Sequence, residues 1–370
     1  MGLRIPVMAA LMTVAIAACG DSHGHHTRVV PASRITVVDL GTVALTATNQ
    51  SQTFDVVVHN ARSFVIVADG GDATDVDIET LRAPSGTVLV TPNPDDANPL
   101  TGGVSPQDVG GSVATAIVPS RTTTPVESGT YTFSVASFGA ARTGVPPTRI
   151  RVPATVHLTA IIDRRPHTET GRLKVRLFFV GTKGLDADSA LDSPAFQAVF
   201  HELTRTFAAI GIDVEIADRR NIGGDAGLRL AVLDVLDSTT DRIVPDHNLN
   251  RQSDEMDELF GLSPHGVDDA INVFFVDEFV TQSGTDAVSG GAPGPSIVSG
   301  TAHSGIAVST RGGLADQSVT DLEAIGQDLA REVARYLGAV DPVDPGAFTA
   351  DQALVVRVNP AVDDPPPDAP

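Results

Sequence analysis

Two folded regions of different class are predicted, an all-β sandwich followed by an α/β domain, and three observations predict them. From Ile35 to about Asp163, short runs rich in β-branched and aromatic residues are bounded by Gly, Pro, Asn or Asp, with no helical period. From about Gly171, strand-like runs alternate with stretches whose apolar residues recur every three or four positions. Between them lies a polar stretch, residues 164–171, that carries neither pattern. The resulting division is a cleavable leader at 1–18, a tether at 19–33, the sandwich at 34–163, the α/β domain at 171–362 and a disordered tail at 363–370.

In the first region, residues 53–59, 64–68, 87–90, 113–118 and 131–136 read as strands. Short strands at regular turn signals make antiparallel sandwiches, because each strand needs a second sheet to cover its apolar face. In the second region, residues 173–180 form a strand, and Ser193 with Pro194 gives an N-cap followed by proline at the first helical position. Phe196, Phe200, Leu203 and Phe207 then share one helical face. Residues 212–216 and 271–276 return as strands, and a Gly/Pro/Ser-rich segment at 282–300 leads into a short strand at 305–309. A last helix runs from about Thr320 to Leu337, with Ser318 and Asp321 placed like a capping box. Its apolar face is Leu322, Ile325, Leu329, Val333 and Tyr336. The Pro- and Asp-rich tail from Asp363 lacks the apolar residues a core needs.

Composition bounds the function. A hydrophobic fraction of 42% is that of a globular chain, and roughly 350 residues after the leader suit two domains. With no Trp and 2 Tyr, the cores must rest on Val, Leu, Ala and Phe. A net charge of −21 argues against nucleic acid and anionic lipid as partners, since like charges repel.

The chain opens on a short start containing Arg4, then an apolar run to Ala18, then Cys19. That run is shorter than the roughly twenty residues a spanning helix needs, and small residues precede the junction, as at a secretory cleavage point. Ile16, Ala17, Ala18 and Cys19 resemble a lipobox, at which the cysteine is diacylated and becomes the first mature residue. The alternative is an ordinary secretory leader that happens to contain a cysteine. Cys19 is the only cysteine, so no disulfide forms within the chain. The expectation is an exported protein anchored through Cys19 in the cell envelope, at the outer membrane or the periplasmic face of the inner membrane. His23, His25 and His26 in the tether are either a metal-capturing cluster or a solvated linker.

Residues 75–81, 84–86 and 127–135 resemble the jelly-roll domains that accompany secreted peptidases, which implies a jelly-roll-like sandwich. Asp69, Asp72, Asp75 and Asp77 could offer oxygen ligands to calcium. Their spacing matches no defined calcium loop, and acidic turns are common in so acidic a chain.

The last helix carries the most specific pattern. Laid over the metzincin motif H-E-x-x-H-x-x-G-x-x-H, Glu332 falls on the glutamate and Gly338 on the glycine. Arg331, Arg335 and Asp341 fall where three zinc-binding histidines would stand. The order of a strand at 271–276, a Gly-rich loop and an edge strand at 305–309 before this helix is similar to that of secreted zinc metalloproteases. The resemblance covers the whole α/β region and implies a metzincin-like fold whose ligands are gone. Arginine has five donors and no acceptor; catalytic zinc needs three protein donors with lone pairs. Without zinc, Glu332 loses the water it would activate as general base. The methionine turn beneath the metal is also missing, since Met1, Met8, Met12 and Met256 all lie elsewhere and the matching region, 355–360, has none. On its own, Arg-Glu-x-x-Arg is an ordinary exposed helix face. His201 and Glu202 lack a second histidine at i+4 and read as surface; His303 reads as a loop histidine near the cleft. The expected function is that of a membrane-anchored pseudoprotease, with no cofactor, that binds a peptide or protein in the former substrate cleft. The alternatives are an active zinc protease using His303, His265 and Asp341, or a structural or adhesive surface protein.

Overall fold

The computed structural model describes residues 34–46, 52–71, 75–91, 113–138, 151–234, 255–264, 270–280, 286–290, 305–339 and 347–364. Eight strands in the first half form two four-stranded antiparallel sheets. One has the order β1 (Ile35–Leu45), β8 (Ala154–Asp163), β3 (Ser63–Asp69), β6 (Val113–Val118). The other has the order β2 (Thr53–Val58), β7 (Gly129–Phe138), β4 (Asp75–Arg82), β5 (Val88–Val90). Phe64, Ile66, Ala116 and Leu158 from the first sheet share one core with Val56, Ile78, Tyr131 and Phe133 from the second. Phe64 and Tyr131 meet edge-on with ring centroids 4.6 Å apart. The Tyr131 hydroxyl accepts the Glu127 backbone N–H at 2.7 Å, while burial pushes its pKa up.

Strand β3 does not alternate, because both its faces are covered. Phe64, Ile66 and Ala68 point into the sandwich, while Val65 and Val67 join Val113, Ile117 and Ile161 against Val355 of the second half. An unbroken apolar run of this length is what a strand buried on both sides requires.

The second half is built on a mixed sheet of order β10 (Ile212–Ile222), β9 (Gly171–Val180), β12 (Ala270–Val276), β15 (Gly305–Ser309), β14 (Ala287–Gly290). The first four are parallel and β14 is antiparallel to β15. A short β16 (Val362–Asp363) pairs antiparallel with the start of β9. Helices α1 (Pro194–Ala208) and α4 (Val319–Tyr336) cover one face, with Phe196, Leu203, Phe207, Ile325, Leu329 and Val333 in the shared core. The other face is covered by α3 (Glu255–Gly261), by Leu230 after α2 (Gly224–Arg229), and by β11 (Val232–Asp234), which pairs with β13 (Glu278–Val280). A last helix, α5 (Ala350–Val358), precedes β16. No described helix is long and apolar enough to cross a membrane.

The β-rich half followed by an α/β half matches the expected classes, with three corrections. The 282–300 segment contains a strand, β14, and this rather than 305–309 is the antiparallel edge; β15 has a partner on both sides. The region compared with a methionine turn is the last turns of α5 and the bend after it. The tail does not begin at 363: Asp363 lies in β16 and pairs with Arg165 and Lys174, and Asp364 pairs with Arg62. The chain from Arg34 onward clusters as one compact unit.

The junction explains why. Asp163 ends β8 fully buried and is held by Arg62 Nε at 2.8 Å and Arg165 Nη2 at 2.7 Å. Those arginines also reach the C-terminal residues, Arg62 to Asp364 and the Val362 carbonyl, and Arg165 to Asp363 and the Pro360 carbonyl. The Ser63 hydroxyl donates to the Val358 carbonyl, and the N–H and hydroxyl of Thr122 both donate to Asp351 at 2.7 Å. These bonds from Thr122 hold the Asp351 carboxyl below the usual aspartate range. Their contribution is present above the ordinary aspartate pKa and is lost as the pH falls through the lowered one.

Replacing Arg165 with Met should therefore cost about 3 kcal/mol of stability, because it strips a partner from a carboxylate sealed from water. Urea denaturation at neutral pH measures it. A loss under about 0.5 kcal/mol would be that of an ordinary surface position and would contradict the clamp.

Candidate functional site: the last long helix and the sheet edge

Helix α4 starts at Ser318, whose Oγ accepts the Asp321 N–H at 3.2 Å and donates to the Asp321 carboxylate at 2.6 Å. The hydroxyl holds Asp321 below the usual carboxylate range. The N-cap expected from the sequence is present, but the returning arm goes to the hydroxyl rather than to the backbone. At the other end Gly338 has φ 101°, and two bonds close the helix, Gly338 N–H to the Arg335 carbonyl and Ala339 N–H to the Ala334 carbonyl. This is a Schellman ending, which requires the left-handed residue that glycine supplies.

The position of α4 is set by α1. A Cβ on Gly326 would lie 2.6 Å from the Val199 carbonyl oxygen and 2.7 Å from Glu202 Cβ, so the helices cross at a contact only glycine permits. Glu202, expected on the surface, is instead buried at this crossing, while His201 is exposed. Arg205 forks onto the Glu202 carboxylate, with Nη2 at 2.6 Å, and this bond holds its pKa low.

The opposite face of α4 carries Asp328, Arg331, Glu332 and Arg335. The two carboxylates, one turn apart, are 13% exposed, whereas Arg331 and Arg335 are 40% and 60% exposed. Glu332 accepts from Ser289 twice, from the backbone N–H at 3.0 Å and from Oγ at 2.6 Å. Asp328 accepts the Asp286 N–H at 3.0 Å. The helix thus supplies acceptors to edge strand β14 and to the residue before it. Each arginine folds back on the carboxylate three residues earlier: Arg331 pairs with Asp328, and Arg335 Nη1 stands 3.9 Å from Glu332. Asp286 is itself gripped by Arg311, whose third arm reaches Asp321 at 2.9 Å.

Zinc does not fit the described part of this face. Guanidiniums have no lone pair to give, and Glu332 is already engaged by Ser289. Among the described residues, no three His, Cys, Asp or Glu side chains group to hold a metal ion. Cys19, His23, His25, His26, Asp72, His265, His303 and Asp341 lie outside the described residues. Of the other calcium candidates, Asp69 accepts the Gly71 N–H at 2.9 Å within a turn, Asp75 lies on β4, and Asp77 is buried. Sequence reasoning missed Asp286, Ser289, Arg311 and Asp328. The available signal was the i, i+4 spacing of Asp328 and Glu332 on the face of α4 away from its apolar side.

No family model matches the chain, and no curated protein matches it. Among solved structures, metalloproteinase-II of Bacteroides fragilis is similar at 14% identity over 54% of this chain and 62% of its own, with a TM-score of 0.30. The protein YXIM of Bacillus subtilis is similar at 11% identity over 65% of this chain and 55% of its own, with a TM-score of 0.16. The chain thus spans about three fifths of the metalloproteinase it matches. Neither likeness is close enough to carry over a site or an activity.

Gly326→Ala should lower stability by about 1–3 kcal/mol, because the added methyl meets a backbone oxygen that cannot move without shifting α1. Thermal unfolding of the variant tests this. A variant as stable as the parent would show that α4 has freedom to slide and that the Glu332–Ser289 contact is not held in place by packing.

Proposed function

We propose that this is a lipid-anchored envelope protein whose α/β half is a metalloprotease-like frame used for binding, not hydrolysis. The observation that carries the reading is the capture of Glu332 by both donors of Ser289. Both bonds end on Oε2 and turn the carboxylate to the edge strand, which uses the glutamate as a structural acceptor and would leave water activation to Oε1 alone. The neighbouring positions support the same reading, since Arg331 and Arg335 stand where the family pattern puts zinc ligands. The edge of β14 beside α4 is where a peptide or protein segment would lie, as an extended segment adds to a sheet edge. The anchor rests on Cys19 and the lipobox-like residues before it.

Purified protein should hold no stoichiometric zinc and show no chelator-sensitive proteolysis. Tightly bound zinc in the unmodified chain would overturn the reading in favour of an active metalloprotease. Combining Arg331→His, Arg335→His and Asp341→His should create zinc binding if the frame is metzincin-like; a folded triple variant that ignores micromolar zinc removes that assignment. Cys19→Ser should move the protein out of the membrane fraction and end its labelling by fatty acid. Retention in membranes after a salt wash would sink the anchor.

A further inference from the structure

The carboxyl ends of the parallel strands hold a second feature, which shares no residue with the α4 face. The chain leaves β9 through α1 to reach β10 on one side, then uses β12 on the other side of β9. The connection after β9 leads to the α1 face of the sheet, whereas β12 leads into β13, whose Phe279 packs on the opposite face. Such a reversal opens a crevice at the strand ends, and open α/β sheets bind their ligands there.

Asp277 sits at this point, directly after β12, and is 7% exposed. Its backbone is tied down on three sides. The Asp277 N–H donates to the Ala231 carbonyl at 2.7 Å, and the Asp277 carbonyl accepts from the Gly312 N–H at 2.7 Å and the Thr310 hydroxyl at 3.1 Å. The carboxylate is half used. Oδ2 meets Lys183 Nζ at 3.1 Å, from the loop after β9, while Oδ1 is buried with no hydrogen-bond partner. A buried acceptor left empty costs about 1–3 kcal/mol, so it calls for a donor. Lys183 is 72% exposed along its side chain. At Gly184 and Gly312 in the flanking loops, both at positive φ, a Cβ would meet nothing within 4 Å.

We propose that Asp277 and Lys183 form a binding site for a hydroxyl-rich ligand of the saccharide class. Lys183 already balances the charge of Asp277, so the missing partner is a neutral donor rather than a second cation. Asp277 Oδ1 accepts from one hydroxyl, and the Lys183 ammonium, which has three donors, gives one to the adjacent hydroxyl. An acceptor beside a donor matches two neighbouring hydroxyls on a sugar ring. Lys183 moves aside to admit the ring and settles over it.

Ligand-observed NMR on the full chain tests the site, with glucose, methyl mannoside, methyl galactoside and N-acetylglucosamine as probes. At least one sugar should bind in the millimolar range, and cis-1,2-cyclohexanediol should compete where the 1,3-isomer does not. Asp277→Ala should abolish binding. Lys183→Ala, with its fold checked by thermal unfolding, should weaken it about tenfold, and it decides the matter if the Asp277 variant fails to fold. Absence of binding by every probe, or equal binding by parent and Lys183→Ala, overturns the proposal. Competition by both diols alike overturns the adjacent-hydroxyl requirement.

Discussion

A carboxylate removed from water must be matched by donors or it unfolds its surroundings, and Asp163 is removed completely. It is the last residue of β8 and stands in both ladders of that strand, opposite Ile35 of β1 and Ser63 of β3. Two guanidiniums match it, and their remaining arms reach residues 360–364 and the Pro166 carbonyl. That geometry ties the end of the second half to the end of the first. The start of the second half is tied by the chain itself, since β9 begins eight positions after Asp163. Strand β16 then closes the loop by pairing with Leu173 and Arg172 of β9, and Gly171 makes room for it, since a Cβ there would lie 2.7 Å from Val362. Both ends of the α/β half therefore hang on one buried acid.

How much of this was legible depends on whether the signal was local. Helix α4 was legible almost to the residue, because Leu322, Ile325, Leu329, Val333 and Tyr336 repeat at helical spacing and all are buried. Ser193 before Pro194 was equally plain, and its side chain accepts the Phe196 N–H. Edge strand β14 was not legible. It spans four residues within a Gly/Pro/Ser-rich segment, and its partners Glu332 and Asp328 lie some forty positions away. The polar stretch after Asp163 carries neither a strand nor a helix pattern, and nothing local marks Arg165 in it as buried. Arg165 is buried because Asp163, two positions before it, and Asp363, from the far end of the chain, close on it together. Glu202 misled in the same way, as a helix-crossing is visible only once Gly326 is placed against it.

The site inherits its character from that hidden edge. The antiparallel edge of an open sheet presents backbone donors that either find partners or invite another strand. Here α4 offers Glu332 to Ser289 and Asp328 to Asp286, so the edge is answered from within the chain. Arg331 and Arg335 then neutralise those acids from the solvent side. The four charges balance, so in a chain of net charge −21 this helix face is locally neutral.

On the proposed binding role, a strand edge whose donor is already taken would select its occupant in a particular way. A segment adding to β14 must take the Ser289 N–H from Glu332, and a hydrogen bond to a charged group is worth about 1.5–3 kcal/mol. Each 1.4 kcal/mol is a tenfold factor in affinity, so an indifferent peptide is held back by about tenfold or more. A segment that brought its own cation would recover that loss, because Glu332 freed from Ser289 would be a largely buried acid beside a distant Arg335. On the proposed binding role, the edge would thus favour extended segments carrying Lys or Arg where they reach Glu332.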